Sequence, residues 1–488
     1  MEKLTIQLKN IQQNFGAKEV LAIDELSVYE NDRIGIIGGN GEGKSTLLKI
    51  IHGDLKLEGE IQREVAFNYY PQIAEVDELF NIDALDWALM SQFDVPKINL
   101  QTLSGGESSK FWLAQILSVY QMGLLLDEPT THLDRESVKK LVEELRYYYG
   151  TLLFVSHDRY FLNQLADKIW EIQDGKVVEY EGDYDSYKEQ KEQEHIKNER
   201  DKENYLQEKR RLETAIAKKK EQAEKASKVS NKKKQQSIRP DRLSSSKQKD
   251  TVQKSMQKSA KSMESRLSQL QEVRTETKEQ EIHFPTPKSV EIHNKYPIRG
   301  ENLQLTAGDK VLLKQTDFQF ALNKKIAIVG ENGSGKTTLL DAIVNDREGV
   351  VLSPKVAFSF YQQMDYKLYG EERMLTFLMK RTEYPEKLVR SLLNNLGFAQ
   401  LEISKPLSAL SGGEATKLAI ALLFVRPSNV LILDEPTNFI DIKTIEALEK
   451  LIASYEGTVL FTSHDPYFVE KLADEVYEMK NKQLQLMS

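Results

Sequence analysis

Cysteine is absent from the 488-residue chain, which excludes disulfides and thiolate metal sites together. Also missing is any apolar run that approaches the roughly 20 residues needed to cross a bilayer. The longest stretches, such as Leu418 to Val425, read as buried elements, so the chain is expected not to span a membrane. Its start, Met1-Glu2-Lys3-Leu4, runs straight into an alternating strand pattern and lacks the charged-then-apolar layout of a secretory signal. A cytoplasmic location is the expectation. The net charge is only −8, but that figure hides a segregation: Lys209 to Lys261 holds 18 basic and 5 acidic residues, a local +13 that leaves −21 for the remainder. One segment is therefore a polyanion-seeking limb on an acidic body.

What the chain does contain, it contains twice. Ser104-Gly105-Gly106-Glu107, Asp127-Glu128 and His157 recur as Ser411-Gly412-Gly413-Glu414, Asp434-Glu435 and His464, always 307 positions later. A period that long is a whole domain rather than a solenoid unit. The domains are expected at 1–183 and 296–488, with 184–295 between them. In each, short apolar strands alternate with helical stretches, which predicts an α/β fold with a mainly parallel sheet. Ile34 to Ile37 and Ile326 to Val329 read as strands entering glycine loops, with helices starting near Lys44 and Lys336. Leu124 to Leu126 and Val430 to Leu433 end in the acidic pairs, while Leu152 to Val155 and Val459 to Phe461 deliver the histidines. All three motifs thus fall at carboxyl ends of strands, where open α/β sheets place ligands.

Gly38-Gly39-Asn40-Gly41-Glu42-Gly43-Lys44-Ser45, followed by Thr46, and Gly330-Glu331-Asn332-Gly333-Ser334-Gly335-Lys336-Thr337, followed by Thr338, both fit the phosphate-loop pattern. Glycines let successive backbone N–H groups curl around phosphates, the lysine adds a point charge, and the hydroxyls of Ser45 and Thr337 suit magnesium. Asp127 and Asp434 can hold the magnesium shell, and Glu128 and Glu435 can polarise an attacking water. His157 and His464, each in Ser-His-Asp, can sense or orient a terminal phosphate. Gln72 and Gln363 close the matching strings VAFNYYPQ and VAFSFYQQ and are candidate ligands for magnesium and water.

The segment between the repeats has two helical stripes. Val252, Met256, Ala260, Met263, Leu267 and Leu270 step by fours and threes, and Tyr205, Leu212, Ile216 and Ala223 give a matching stripe upstream. An antiparallel hairpin is predicted, with a first helix of about 40 residues, some 60 Å long, and a turn from Ser227 to Asp250. The alternative is a flexible charged spacer.

The order of phosphate loop, glutamine, Leu-Ser-Gly-Gly-Glu signature, acidic pair and histidine resembles the ATP-binding cassette superfamily over both domains. That resemblance implies ATP and magnesium as cofactors, ATP hydrolysis as the reaction, and two cassettes of one chain meeting head to tail. One site would join Lys44, Gln72, Glu128 and His157 with Ser411 to Glu414; the other would join Lys336, Gln363, Glu435 and His464 with Ser104 to Glu107. Asp134 and Asp441 match the family's D-loop aspartates. Phe15 matches its adenine-stacking aromatic, whereas the aligned position in the second cassette is Ala307.

Two fused cassettes joined by a helical hairpin are similar to the ABC-F group, cytosolic ATPases that act on ribosomes. Pro240-Asp241-Arg242-Leu243-Ser244-Ser245-Ser246-Lys247, Ser259 to Glu264 and His293 to Ile298 resemble its antibiotic-resistance members, and the short carboxyl terminus resembles the macrolide and streptogramin B branch. Only 32 positions separate Gln72 from Ser104, against 48 from Gln363 to Ser411, too few for the arm domain of many housekeeping members. The resemblance implies a ribosome-protection factor. Its ATP-bound form would enter the ribosomal exit site as a monomeric chain. The hairpin would act on the P-site tRNA and large-subunit rRNA near the peptidyl-transferase centre to displace drug. Lys232, Lys233, Lys234, Arg239, Arg242, Leu243, Lys247 and Lys249 are the expected tip residues. A housekeeping translation ATPase and the ATPase subunit of a drug exporter are the alternatives.

Overall fold

The apolar tripeptide runs become the central strands of two sheets. In the first cassette Arg33–Gly38 (β3), Gly123–Asp127 (β6) and Thr151–Val155 (β7) lie side by side, all parallel. Alternate side chains leave opposite faces of a strand: Leu124, Leu126, Leu152 and Phe154 enter one buried cluster, and Leu125, Leu153 and Val155 enter another. A sheet covered on both faces explains why these strands read as unbroken apolar runs. Phe67–Tyr70 (β5) extends the sheet on one side and Lys168–Gln173 (β8) on the other, with Lys176–Glu181 (β9) as an antiparallel edge; the full order is β5-β6-β7-β3-β8-β9.

The second cassette repeats this order with Phe358–Tyr361 (β14), Val430–Leu433 (β15), Thr458–Thr462 (β16), Lys325–Val329 (β12), Glu475–Lys480 (β17) and Gln483–Leu486 (β18). The expectation of an α/β fold with a mainly parallel sheet therefore holds in both halves. The sequence pattern did not separate out a second, antiparallel three-stranded sheet in each. Leu4–Phe15 (β1) pairs with Lys18–Tyr29 (β2) and Glu58–Arg63 (β4), and Ile298–Ala307 (β10) pairs with Lys310–Phe320 (β11) and Val350–Leu352 (β13).

This computed structural model describes residues 3–16, 18–55, 58–72, 86–95, 105–234, 255, 258–259, 261–270, 282, 284, 291–308, 310–361, 370–438 and 440–487. Met1–Tyr187 and Glu279–Ser488 form one unit and Lys188–Lys278 a second. Ile282 and Phe284 are buried in the second cassette's core, with the Phe284 ring 5.2 Å from that of Phe424. Ile442 of the second cassette joins a core cluster of the first, so the two cassettes share apolar packing.

In the limb, the helix Tyr184–Lys234 runs for 51 residues, roughly 76 Å at 1.5 Å per residue. It passes through Ser227, where a turn was expected. The stretch from Glu224 to Lys234 holds five lysines and contains neither glycine nor proline, so nothing in it stops a helix. Lys232, Lys233 and Lys234 consequently lie on the helix backbone. Arg239, Arg242, Leu243, Lys247 and Lys249 lie outside the described residues, as do Val252, Met256 and Ala260. Leu212 and Ile216 are buried, and Met263, Leu267 and Leu270 are half-buried along the helical stretch 261–269 and the residue after it. Ion pairs Lys220–Glu264 at 2.7 Å and Arg266–Glu208 at 3.4 Å join the two helical pieces.

Candidate functional site

Each phosphate loop is shaped by its own lysine. Lys44 Nζ donates to the carbonyls of Gly38 and Gly39 at 2.8 and 3.0 Å, and Lys336 Nζ does the same to Gly330 and Glu331 at 2.8 and 3.2 Å. Burial pulls both lysines below the ordinary amine value, opposed by the nearby acids, Glu128 for Lys44 and Glu435 for Lys336. The helices Lys44–His52 and Lys336–Val344 follow directly, opening their N-termini at the loops. Gly43 holds φ 103°, and a Cβ there would sit 2.8 Å from Val20 Cγ1, so this position accepts glycine alone without strain.

Opposite the loops stand the acidic pairs at the ends of β6 and β15. Glu128 and Glu435 adopt left-handed φ values of 52° and 45°, conformations that a glutamate leaves unless its surroundings hold it. His157 N donates to Glu128 Oε2 at 3.3 Å, and His464 N to Glu435 Oε2 at 3.2 Å. In both sites the histidine Nε2 lies 3.2 Å from the other carboxylate oxygen. Burial pushes Glu128 and Glu435 up to about 7 and presses His157 and His464 down to about 3 and 4. Each site therefore pairs a neutral imidazole with a carboxylate that exchanges its proton near neutrality.

The two aspartates expected to serve magnesium, Asp127 and Asp434, are steadied by different neighbours, which sequence reading missed. Tyr69 Oη donates to Asp127 Oδ2 at 3.3 Å, while Thr462 Oγ1 donates to Asp434 Oδ1 at 2.7 Å. Phe360 and Val155 occupy the corresponding places, a swap visible only when the two repeats are aligned with the sheet in hand. Burial raises the Asp127 pKa, partly offset by the Ser45 hydroxyl, and Asp127 Oδ1 is buried without a hydrogen-bond partner among the described residues. An all-oxygen donor set with an unfilled acceptor fits a hard divalent cation.

The cassettes meet head to tail. Ser411 caps the signature helix Gly412–Val425 in a reciprocal capping box with Glu414. A Cβ on Gly413 would lie 3.5 Å from Asn40 of the first phosphate loop. Asn40 N donates to Asp441 Oδ2 at 3.2 Å, and Asp441 also caps the helix Ile442–Ser454. In the other direction Asn332 Nδ2 donates to the His132 carbonyl at 3.3 Å, and a Cβ on Gly106 would lie 3.9 Å from the same Asn332 nitrogen. Asp134 caps the helix Arg135–Tyr147 and lies 3.8 Å from Lys110 of its own cassette. Ser104 and Gln363 lie outside the described residues, and of Gly105 only the backbone is described.

A cavity of about 400 Å³ opens over the first phosphate loop. Phe15, Lys44, Gln72, Glu128 and His157 line it from the first cassette, and Thr437, Asn438 and His464 from the second. Phe15 is 53% exposed at the end of β1, a free aromatic face over the cavity rim, whereas Ala307 ends β10.

Duplicated phosphate loops, each facing the other half's signature helix across one packed unit, define a tandem ATP-binding cassette ATPase. The ABC transporter family profile matches residues 21–77 and 313–438, and a second ABC transporter profile matches residues 170–250. Over 487 residues the chain is 44% identical to the erythromycin resistance ATP-binding protein MsrA of Staphylococcus epidermidis, covering 99% of each. It is 32% identical to the ribosome protection protein VmlR of Bacillus subtilis, covering 98% of this chain and 87% of that protein. The solved structure of an RNase-L inhibitor shares the fold, with a TM-score of 0.66 at 19% identity over 98% of this chain and 90% of that one. The chain belongs to the antibiotic-resistance group of the ABC-F ATPases, and ATP hydrolysis is its reaction. Among the described residues no helix is long and apolar enough to cross a membrane.

Proposed function

We propose that this chain is a cytoplasmic ribosome-protection factor directed at macrolide and streptogramin B type antibiotics. The observation that carries this reading is end-to-end likeness to a protein named for erythromycin resistance, limb included. In its ATP-bound, closed form the monomeric chain enters the ribosomal exit site. The basic limb then neutralises rRNA phosphates and acts on the P-site tRNA near the peptidyl-transferase centre, displacing the drug. Hydrolysis permits departure.

The chemistry falls to residues at strand ends. Ser45, Gln72 and Asp127 in one site, and Thr337, Gln363 and Asp434 in the other, would hold magnesium, which neutralises developing phosphate charge when bound. Gly38 to Thr46 and Gly330 to Thr338 cradle the phosphates, and Phe15 stacks on adenine in the first site. Glu128 and Glu435 accept the proton of the attacking water, while His157 and His464, neutral, orient the terminal phosphate. Ser411 to Glu414 with Asp441 close the first site, and Ser104 to Glu107 with Asp134 the second.

The reading is tested with Glu128→Gln plus Glu435→Gln. This variant is expected to pellet with ribosomes in ATP, while the unaltered chain washes off. Recovery of the variant in the ribosome-free fraction would overturn the ribosomal reading. Unchanged susceptibility of cells expressing the unaltered chain to macrolides, streptogramins, lincosamides and pleuromutilins would overturn the resistance reading alone.

A further inference from the structure

Arg159 is the largest buried charge that the hydrolytic chemistry leaves unused. It follows His157-Asp158 and opens the helix Arg159–Leu165, yet only 2% of it is exposed. A guanidinium is not buried without partners, and its partners come from the other cassette. Nη1 lies 2.7 Å from Glu449 Oε1; Nη2 and Nε reach Asp465 Oδ2 at 2.7 and 3.2 Å. The Tyr467 ring centroid is 5.7 Å from Cζ, and Asn163 Nδ2 donates to the Tyr467 hydroxyl. Glu449 is itself buried and also meets Lys471 at 2.7 Å.

These partners stand close to the chemistry. Asp465 directly follows His464 and caps the helix Pro466–Leu472, so it cannot shift without moving the His464 backbone. His464 touches both sites: its Nε2 is 3.3 Å from Lys336 Nζ and 3.1 Å from Asn332 Oδ1 of the second phosphate loop, and it lines the cavity over the first. Arg159 stands two residues from His157, which contacts Glu128 of the first site. A short continuous path thus runs from Glu128 through His157, Arg159 and Asp465 to His464 and the second phosphate loop. The aligned position in the second repeat is Pro466, which cannot return the contact, so this link between the histidine loops is made in one direction.

We infer that Arg159 is a positioning residue that couples the two ATP sites, transmitting occupancy of one histidine loop to the other through Asp465 and Glu449. Coupling of this kind is reciprocal: ATP at either site tightens the other by the same factor. The inference rests on both sites binding ATP beside His157 and His464.

The test is ATP binding to the full chain carrying Glu128→Gln and Glu435→Gln, so that hydrolysis does not intervene, with and without Arg159→Met. With arginine, two ATP molecules are expected to bind cooperatively, with a Hill coefficient approaching 2. With methionine, two are expected to bind independently, with the factor between first and second affinities falling at least about fivefold. Arg159→Met with Glu449→Met replaces the Arg159–Glu449 pair by an apolar filling and leaves Asp465 as the one carboxylate without its arginine. If that double substitution recovers thermal stability yet binding stays non-cooperative, an ionic path rather than packing carries the coupling. Equal cooperativity in the folded methionine variants overturns the inference. Should Arg159→Met not fold, Arg159→Gln decides, because glutamine keeps a polar side chain there and loses the charge; undiminished cooperativity there overturns it equally. A chain that binds no ATP at all would instead defeat the reading of the sites themselves.

Discussion

At the scale of single residues, burial does the chemical tuning. Glu128 and Glu435 sit near 7 because desolvation disfavours their charged forms, with the lysine of each phosphate loop opposing. A base works deprotonated, so kcat/KM is expected to rise with pH through about 7 and to fall about tenfold for each unit below it. His157 and His464, held to about 3 and 4, stay neutral through that range and cannot supply the limb of the profile. An ATPase profile flat from pH 5.5 to 8.5 would remove the glutamates from the rate-determining proton transfer. The acid pairs and histidines were readable from the chain because each is local, a strand followed by its loop. Tyr69 and Thr462 were not, since which hydroxyl reaches an aspartate depends on which strand lies beside it. Arg159 left one clue: Ser-His-Asp-Arg in one repeat against Ser-His-Asp-Pro in the other.

Among elements, the phosphate loops depend on backbone shape more than on side chains. Gly43 bridges the loop and the helix Lys44–His52 at φ 103° with Val20 close by. Gly43→Ala is expected to cost about 1–2 kcal/mol in left-handed backbone strain on top of the steric displacement. Relief of that strain would turn amide donors away from the phosphates. ATP affinity at the first site should fall tenfold or more by nucleotide titration; an unchanged affinity would show that the loop tolerates a second shape. Element type was legible wherever period and punctuation agreed. Element length was not: Tyr184–Lys234 ran past the expected turn because serine and lysine only weakly oppose a helix already under way. The antiparallel sheets also escaped notice, because their third strands, β4 and β13, come only after the phosphate-loop helix of each half.

Across the whole molecule, charge and repetition divide the work. The acidic cassettes carry paired ATP sites, and the limb carries the +13 surplus between Lys209 and Lys261. If that surplus meets rRNA, ribosome affinity should drop steeply with salt. Lys232→Gln, Lys233→Gln and Lys234→Gln together should lower the logarithmic salt slope by about one unit for each phosphate that is no longer neutralised. A slope unaltered by the triple change would place these lysines off the ribosome.

By itself the sequence determined that two cassettes exist, where their candidate catalytic residues stand along the strands, and that one basic segment lies between them, because each of these follows from local order along a strand, loop or helix. Only the tertiary structure decided that Phe284 belongs to the second cassette's core, that Asp441 reaches the first phosphate loop, and that Arg159 bonds the far cassette's carboxylates. Those pairings join residues far apart along the chain, and packing selects such partners through shape and desolvation, which no local pattern records.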